Sequence, residues 1–85
     1  MIDLETYAQI VDIPVSDIKS KKRFYEISAA RQAYWYYLYQ NGYGFSEMSR
    51  MFGFSHCNIL QGVKRISNLI AMNDRYIQRF LKAIS

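Results

Sequence analysis

The sequence predicts an all-α fold, a single compact domain of about six helices spanning residues 1–85. Three observations carry that expectation. No stretch alternates apolar and polar residues for more than a few positions, so strand signals are poor. Apolar residues recur instead at helical spacing along most of the chain. Helix stops and starts punctuate those runs at Pro14, Asn41-Gly42, Gly53 and Asn73-Asp74. A chain of 85 residues holds one core rather than two, and 51% apolar residues suffice to fill it.

The first helix is expected over Leu4–Val11, with Leu4, Tyr7, Ala8 and Val11 on one stripe and Pro14 ending it. A short second helix follows over Val15–Ser20, with Ser16 as cap and Asp17 in the first turn. The third starts near Ser28 and stops before Gly42. Its aromatics Tyr34, Trp35, Tyr36, Tyr37 and Tyr39 cover every face, which makes it the central helix. The fourth runs over Ser46–Phe52, with Ser46 as N-cap, Glu47 at the positive end of the dipole and Gly53 as a left-handed stop. Ser55 caps a fifth helix reaching Met72, with Ile59, Val63, Ile66 and Ile70 as its stripe. Asn73 and Asp74 offer a cap for a sixth, whose Tyr76, Ile77, Phe80, Leu81 and Ile84 turn inward.

Charge is distributed unevenly. Residues 1–18 carry Asp3, Glu5, Asp12 and Asp17 and no Lys or Arg. Residues 19–85 therefore hold all eleven bases against Glu26, Glu47 and Asp74, a balance of +8. A basic body of this size fits a polyanion, most commonly nucleic acid. The acidic start does not read as a signal peptide, and the longest apolar run, Ala33–Tyr39, is too short to span a bilayer. The lone Cys57 fits a reducing cytoplasm and excludes an internal disulfide or a Cys-based zinc site. No metal or small-molecule cofactor is expected. Nor is an enzyme: adjacent His56 and Cys57 point about 100° apart on a helix, which makes a poor dyad.

The segment Phe45–Ile59 reads as a helix-turn-helix. Met48 and Phe52 are the buried positions of its first helix, and Ser49 is small enough for a close crossing. Gly53 makes the turn, Phe54 plugs the core and Ile59 anchors the second helix. In such a motif the start of the second helix enters the major groove of double-stranded DNA. Ser55, His56, Cys57, Asn58 and Gln61 then lie near base edges, where Asn or Gln pairs bidentately with adenine. Gly62 lets a neighbouring backbone approach. The basic run Lys19–Arg23 reads as an arm for the minor groove or for phosphates. Lys21, Lys22, Arg31, Ser46, Arg50, Lys64 and Arg65 are the expected phosphate contacts, and Trp35, Tyr36 and Tyr39 are candidates for an exposed protein-binding surface.

Several of these segments resemble the C-terminal DNA-binding domain of the bacterial replication initiator DnaA, of the Trp-repressor-like superfamily. Val15–Arg23 resembles its short helix and basic loop, and Ala30-Arg31-Gln32 the start of its long buried helix. Ser46–Gly53 is similar to its first motif helix, and His56, Ile59-Leu60 and Val63–Ile66 to its recognition helix. The resemblance implies a six-helix DNA-binding domain. It implies that His56 stands at the histidine of the family's Asp-His-Thr-Thr signature and that Arg23 is the loop arginine of the minor groove. Ser55, Cys57 and Asn58 replace the other three signature residues, so the scaffold is kept while the reading residues differ. No phosphate-loop motif of an ATPase is present. A bacterial, phage or mobile-element origin follows from the resemblance, with a role in replication or transcription, as a standalone product or an excised domain. The alternative is an adaptor that kept the scaffold and lost DNA binding.

Overall fold

The computed structural model describes residues 1–84, which form six helices and no strand. They are α1 (Leu4–Val11), α2 (Val15–Ile18), α3 (Tyr25–Gln40), α4 (Phe45–Phe52), α5 (His56–Ala71) and α6 (Arg75–Ala83). The domain measures 29 × 26 × 26 Å. None of these helices is long and apolar enough to cross a membrane.

Local chemistry explains most of the boundaries. Asp3 caps α1, its carboxylate accepting from the Thr6 N–H at 2.8 Å, and that bond holds its pKa below the usual value. The helix ends because Asp12 turns left-handed, at φ 60°, two residues ahead of the expected stop at Pro14. Ser55 and Asp74 cap α5 and α6 through the N–H groups of Asn58 and Ile77. Gly53 closes α4 at φ 70°, donating to the Ser49 carbonyl at 2.8 Å.

Four boundary expectations are corrected. The N-cap of α2 is Pro14, whose carbonyl accepts from Asp17 and Ile18, so Ser16 lies inside the helix; α2 also stops at Ile18, short of Ser20. The N-cap of α4 is Gly44 rather than Ser46, because Phe45 joins the helix and stacks on Tyr39 at 5.1 Å. α3 begins at Tyr25, nearly a turn before Ser28. Its first residue is held by tertiary contacts, with Tyr76 of α6 edge to face at 5.0 Å and the Arg65 guanidinium of α5 over the ring. That contact leaves Tyr76 largely at the surface instead of inward, while Ala83 takes a buried place on α6.

α3 is the spine. It packs on α2, α5 and α6, and its Ala29, Ala30, Ala33, Tyr34, Trp35 and Leu38 are buried. Hydroxyls tie α1 to it: Tyr7 donates to the Ala30 carbonyl at 2.7 Å, and Tyr34 to the Ile2 carbonyl at 2.9 Å. Arg79 of α6 bridges to the Glu26 carboxylate at 2.7 Å and to the Val11 carbonyl at 3.2 Å, closing the bundle on that side.

Candidate nucleic-acid interface

The three residues Gly53, Phe54 and Ser55 connect α4 to α5, the connection length of a helix-turn-helix. Met48, Phe52 and Ile59 are buried as that motif requires. The Ser49 hydroxyl donates to the Phe54 carbonyl, so this small residue stitches the turn as well as permitting the crossing. Phe54 is half-buried, with its ring edge to face with Trp35 at 5.0 Å.

What brings α5 close to the spine is Gly62. A Cβ there would stand 2.8 Å from Trp35 Cε3 and 3.0 Å from Gln32 Cγ, well inside van der Waals contact. Trp35 fills that space and is only 2% exposed, which corrects its expected place on an exposed aromatic surface. Its indole N–H is buried without a hydrogen-bond partner. Tyr36 is half-buried, and Tyr39 is the member of that trio that remains at the surface.

With its inner face seated, α5 turns its start outward. Ser55, His56, Cys57, Asn58 and Gln61 are all exposed. Asn58 and Gln61 share a cleft of about 630 Å³ with Lys21 and Arg23 of the basic loop, and with Gln32 and Arg65. Four cationic side chains line this cleft, counting Arg31, and among the described residues no carboxylate does. His56 and Cys57 stand on the same helix start outside it. Lys64 lies in a separate groove with Tyr36, Tyr39 and Phe45. Ser46 and Arg50 are exposed on α4, away from the cleft, and Lys22 is drawn back into a 2.8 Å ion pair with Asp17.

The basic loop is not a loose arm. Arg31 is only 4% exposed, and its guanidinium donates to two carbonyls at the end of α2, Ile18 at 2.6 Å and Asp17 at 3.3 Å, and to one in the loop, Lys22 at 3.0 Å. Burial pushes its pKa down. Arg31 therefore shapes the loop, a place quite different from that of a surface phosphate contact. Lys21 ties the loop from the other side. Its Nζ donates to the Gly53 carbonyl and lies 3.6 Å over the Phe54 ring. Loop and motif turn are thus fastened to each other, with Arg23 exposed just beyond these anchors.

Sequence reasoning passed over Gln32, whose side-chain carbonyl accepts from Arg65 Nη1 at 2.9 Å and so aims that guanidinium along the cleft. Its position beside Arg31 in the Arg-Gln pair was the available signal. Among the described residues no three potential metal-ligating side chains come together. Comparisons with protein families, characterised proteins and solved structures give no match.

Proposed function

We propose that this chain is a double-stranded-DNA-binding helix-turn-helix protein that reads sequence, in replication initiation or transcription control. One observation carries the reading: Asn58 and Gln61 at the exposed start of α5 and the basic loop border a single cleft whose charged lining residues are all cations, set among amides and the rings of Trp35 and Phe54. Polyanion binding demands that charge balance. The amides Asn58 and Gln61 supply donors and acceptors for base edges, at about 1–3 kcal/mol of discrimination for each good bidentate contact. The resemblance to the DnaA C-terminal domain supports the same reading.

On this reading the start of α5 enters the major groove, with Ser55, His56, Cys57, Asn58 and Gln61 facing the bases. Arg23 reaches the adjacent minor groove. Lys21, Lys22, Ser46, Arg50, Lys64 and Arg65 meet phosphates, and Arg31 holds the loop that carries three of these basic side chains. Ser55, Cys57 and Asn58 give the target a sequence other than the DnaA box. The protein acts in the cytoplasm, where exposed Cys57 stays reduced. The second reading, an adaptor without DNA binding, draws on the groove in which Tyr36, Tyr39 and Phe45 lie beside Lys64.

Fluorescence anisotropy on a mixed-sequence duplex at low and moderate salt tests the proposal. Binding should weaken steeply with salt. Arg50→Ala should lower the log–log salt slope by about 0.9, one phosphate's worth of released counterion, and Arg23→Ala should weaken binding by removing the minor-groove contact. His56→Ala should weaken binding to a selected site with the slope unchanged. Absence of binding at low salt would sink the DNA reading and turn attention to the aromatic groove.

A further inference from the structure

The tip of the basic loop presents an apolar ring to solvent. Phe24 is 71% exposed and belongs neither to the core nor to the half-buried residues packed on it. The neighbouring aromatics are all engaged: Tyr25 meets Tyr76 and Arg65, and Phe54 is covered by Lys21. Phe24 makes no such ring contact.

The backbone around it is fixed. On one side Arg31 holds the Lys22 carbonyl at 3.0 Å. On the other the Phe24 carbonyl accepts from the Ser28 N–H at 2.9 Å, which commits Phe24 as the N-cap of α3. Arg23 and Phe24 are therefore a two-residue projection between anchors, an exposed cation beside an exposed ring. An acidic protein surface, or an apolar one, satisfies only half of that pair. The complementary surface is a polyanion with flat apolar faces stacked behind its charges, which describes the base steps of duplex DNA between their phosphates.

We propose that Phe24 is an intercalating wedge. With Arg23 at the minor groove, the ring enters between two base pairs, partly unstacks them and kinks the duplex toward the major groove. This inference rests on the DNA-binding reading above. It adds a source of specificity independent of the α5 side chains: easily unstacked pyrimidine–purine steps are favoured at the wedge site. A floppy loop would lose much of this benefit to ordering entropy, whereas the Arg31 anchor holds the projection in place before DNA arrives.

The test uses duplexes selected from a randomised pool with the wild-type chain, labelled at both ends with a donor–acceptor pair. Wild type should raise energy transfer, as a kink of about 20–90° does. Phe24→Ala should weaken binding about ten- to a hundredfold, the span of base–aromatic stacking, and remove the rise in transfer. Phe24→Leu, still an apolar wedge, should keep the kink. The salt slope should be the same in all three, since no phosphate contact is lost. Thermal melts should coincide, because the ring supports nothing in the fold. Phe24→Ala that binds and bends like wild type would overturn the wedge and leave the DNA reading standing. A straight duplex under wild type would overturn it equally. A pool that yields no bound duplex at low salt would overturn both.

Discussion

α3 and α5 are both sixteen residues long and lie against each other, yet they spend their side chains in opposite ways. α3 buries residues on most of its circumference, an arginine included. α5 buries one stripe, Ile59, Gly62, Val63 and Ile66, and leaves its start in water. A helix held on several sides can position other elements accurately. A helix held on one side can offer the other to a ligand. The contrast gives α3 the core and leaves α5 the surface on which the proposed recognition rests, the two joined where Trp35 lies over Gly62.

The largest expected effect comes from the α3 side of that joint. Trp35→Ala should cost about 3–5 kcal/mol in urea unfolding, the usual loss for a fully buried large aromatic. That is a large share of the stability of a small domain. Arg31→Met keeps the volume and removes the three carbonyl contacts. It should cost about 1.5–3 kcal/mol, as loss of hydrogen bonding by a charged donor does. Duplex binding should weaken with an unchanged salt slope, whereas a slope lower by about 0.9 would return Arg31 to the phosphate contacts.

Gly62→Ala probes the α5 side. The new methyl would meet the Trp35 ring at 2.8 Å, and a locked indole yields little. Overpacking of about 1–3 kcal/mol should exceed the gain of about 1 kcal/mol in helix propensity, giving a modest net loss by denaturant midpoint. A rise in stability would mean the two helices can part without cost.

The smallest effect is a matter of pH. Tyr7 and Tyr34 donate through buried hydroxyls, and burial pushes both pKa values up, that of Tyr34 to about 12. The folded state thus favours the protonated phenols. Their contribution is complete below the ordinary value of 10.0 and declines as pH rises above it, that of Tyr34 being lost as pH rises through about 12. Tyr7→Phe should cost about 1 kcal/mol at neutral pH and flatten the alkaline fall of the melting temperature.

Legibility in the sequence followed distance along the chain. The bounds of α1, the Ser55 and Asp74 caps and the Gly53 turn were readable because each depends on residues within about one helical turn. The exposed start of α5 was readable as well, since its stripe and its cap together set which side faces out. The start of α3 was not, because Tyr25 is helical for the sake of Tyr76 and Arg65, far along the sequence. Trp35 looked like a surplus aromatic until Gly62 made room for it.

By itself, then, the sequence determined an all-α class, the main helices and a glycine turn at the centre of a helix-turn-helix pattern, because capping and apolar spacing are local properties of the chain. Only the tertiary structure decided that Arg31 is buried, that the basic loop is fastened to the motif turn, and that loop and α5 border one cleft. Arg31 and Lys21 reach carbonyls 9 to 32 residues away, and whether a long cationic side chain ends in water or on such a carbonyl depends on where packing brings the two together.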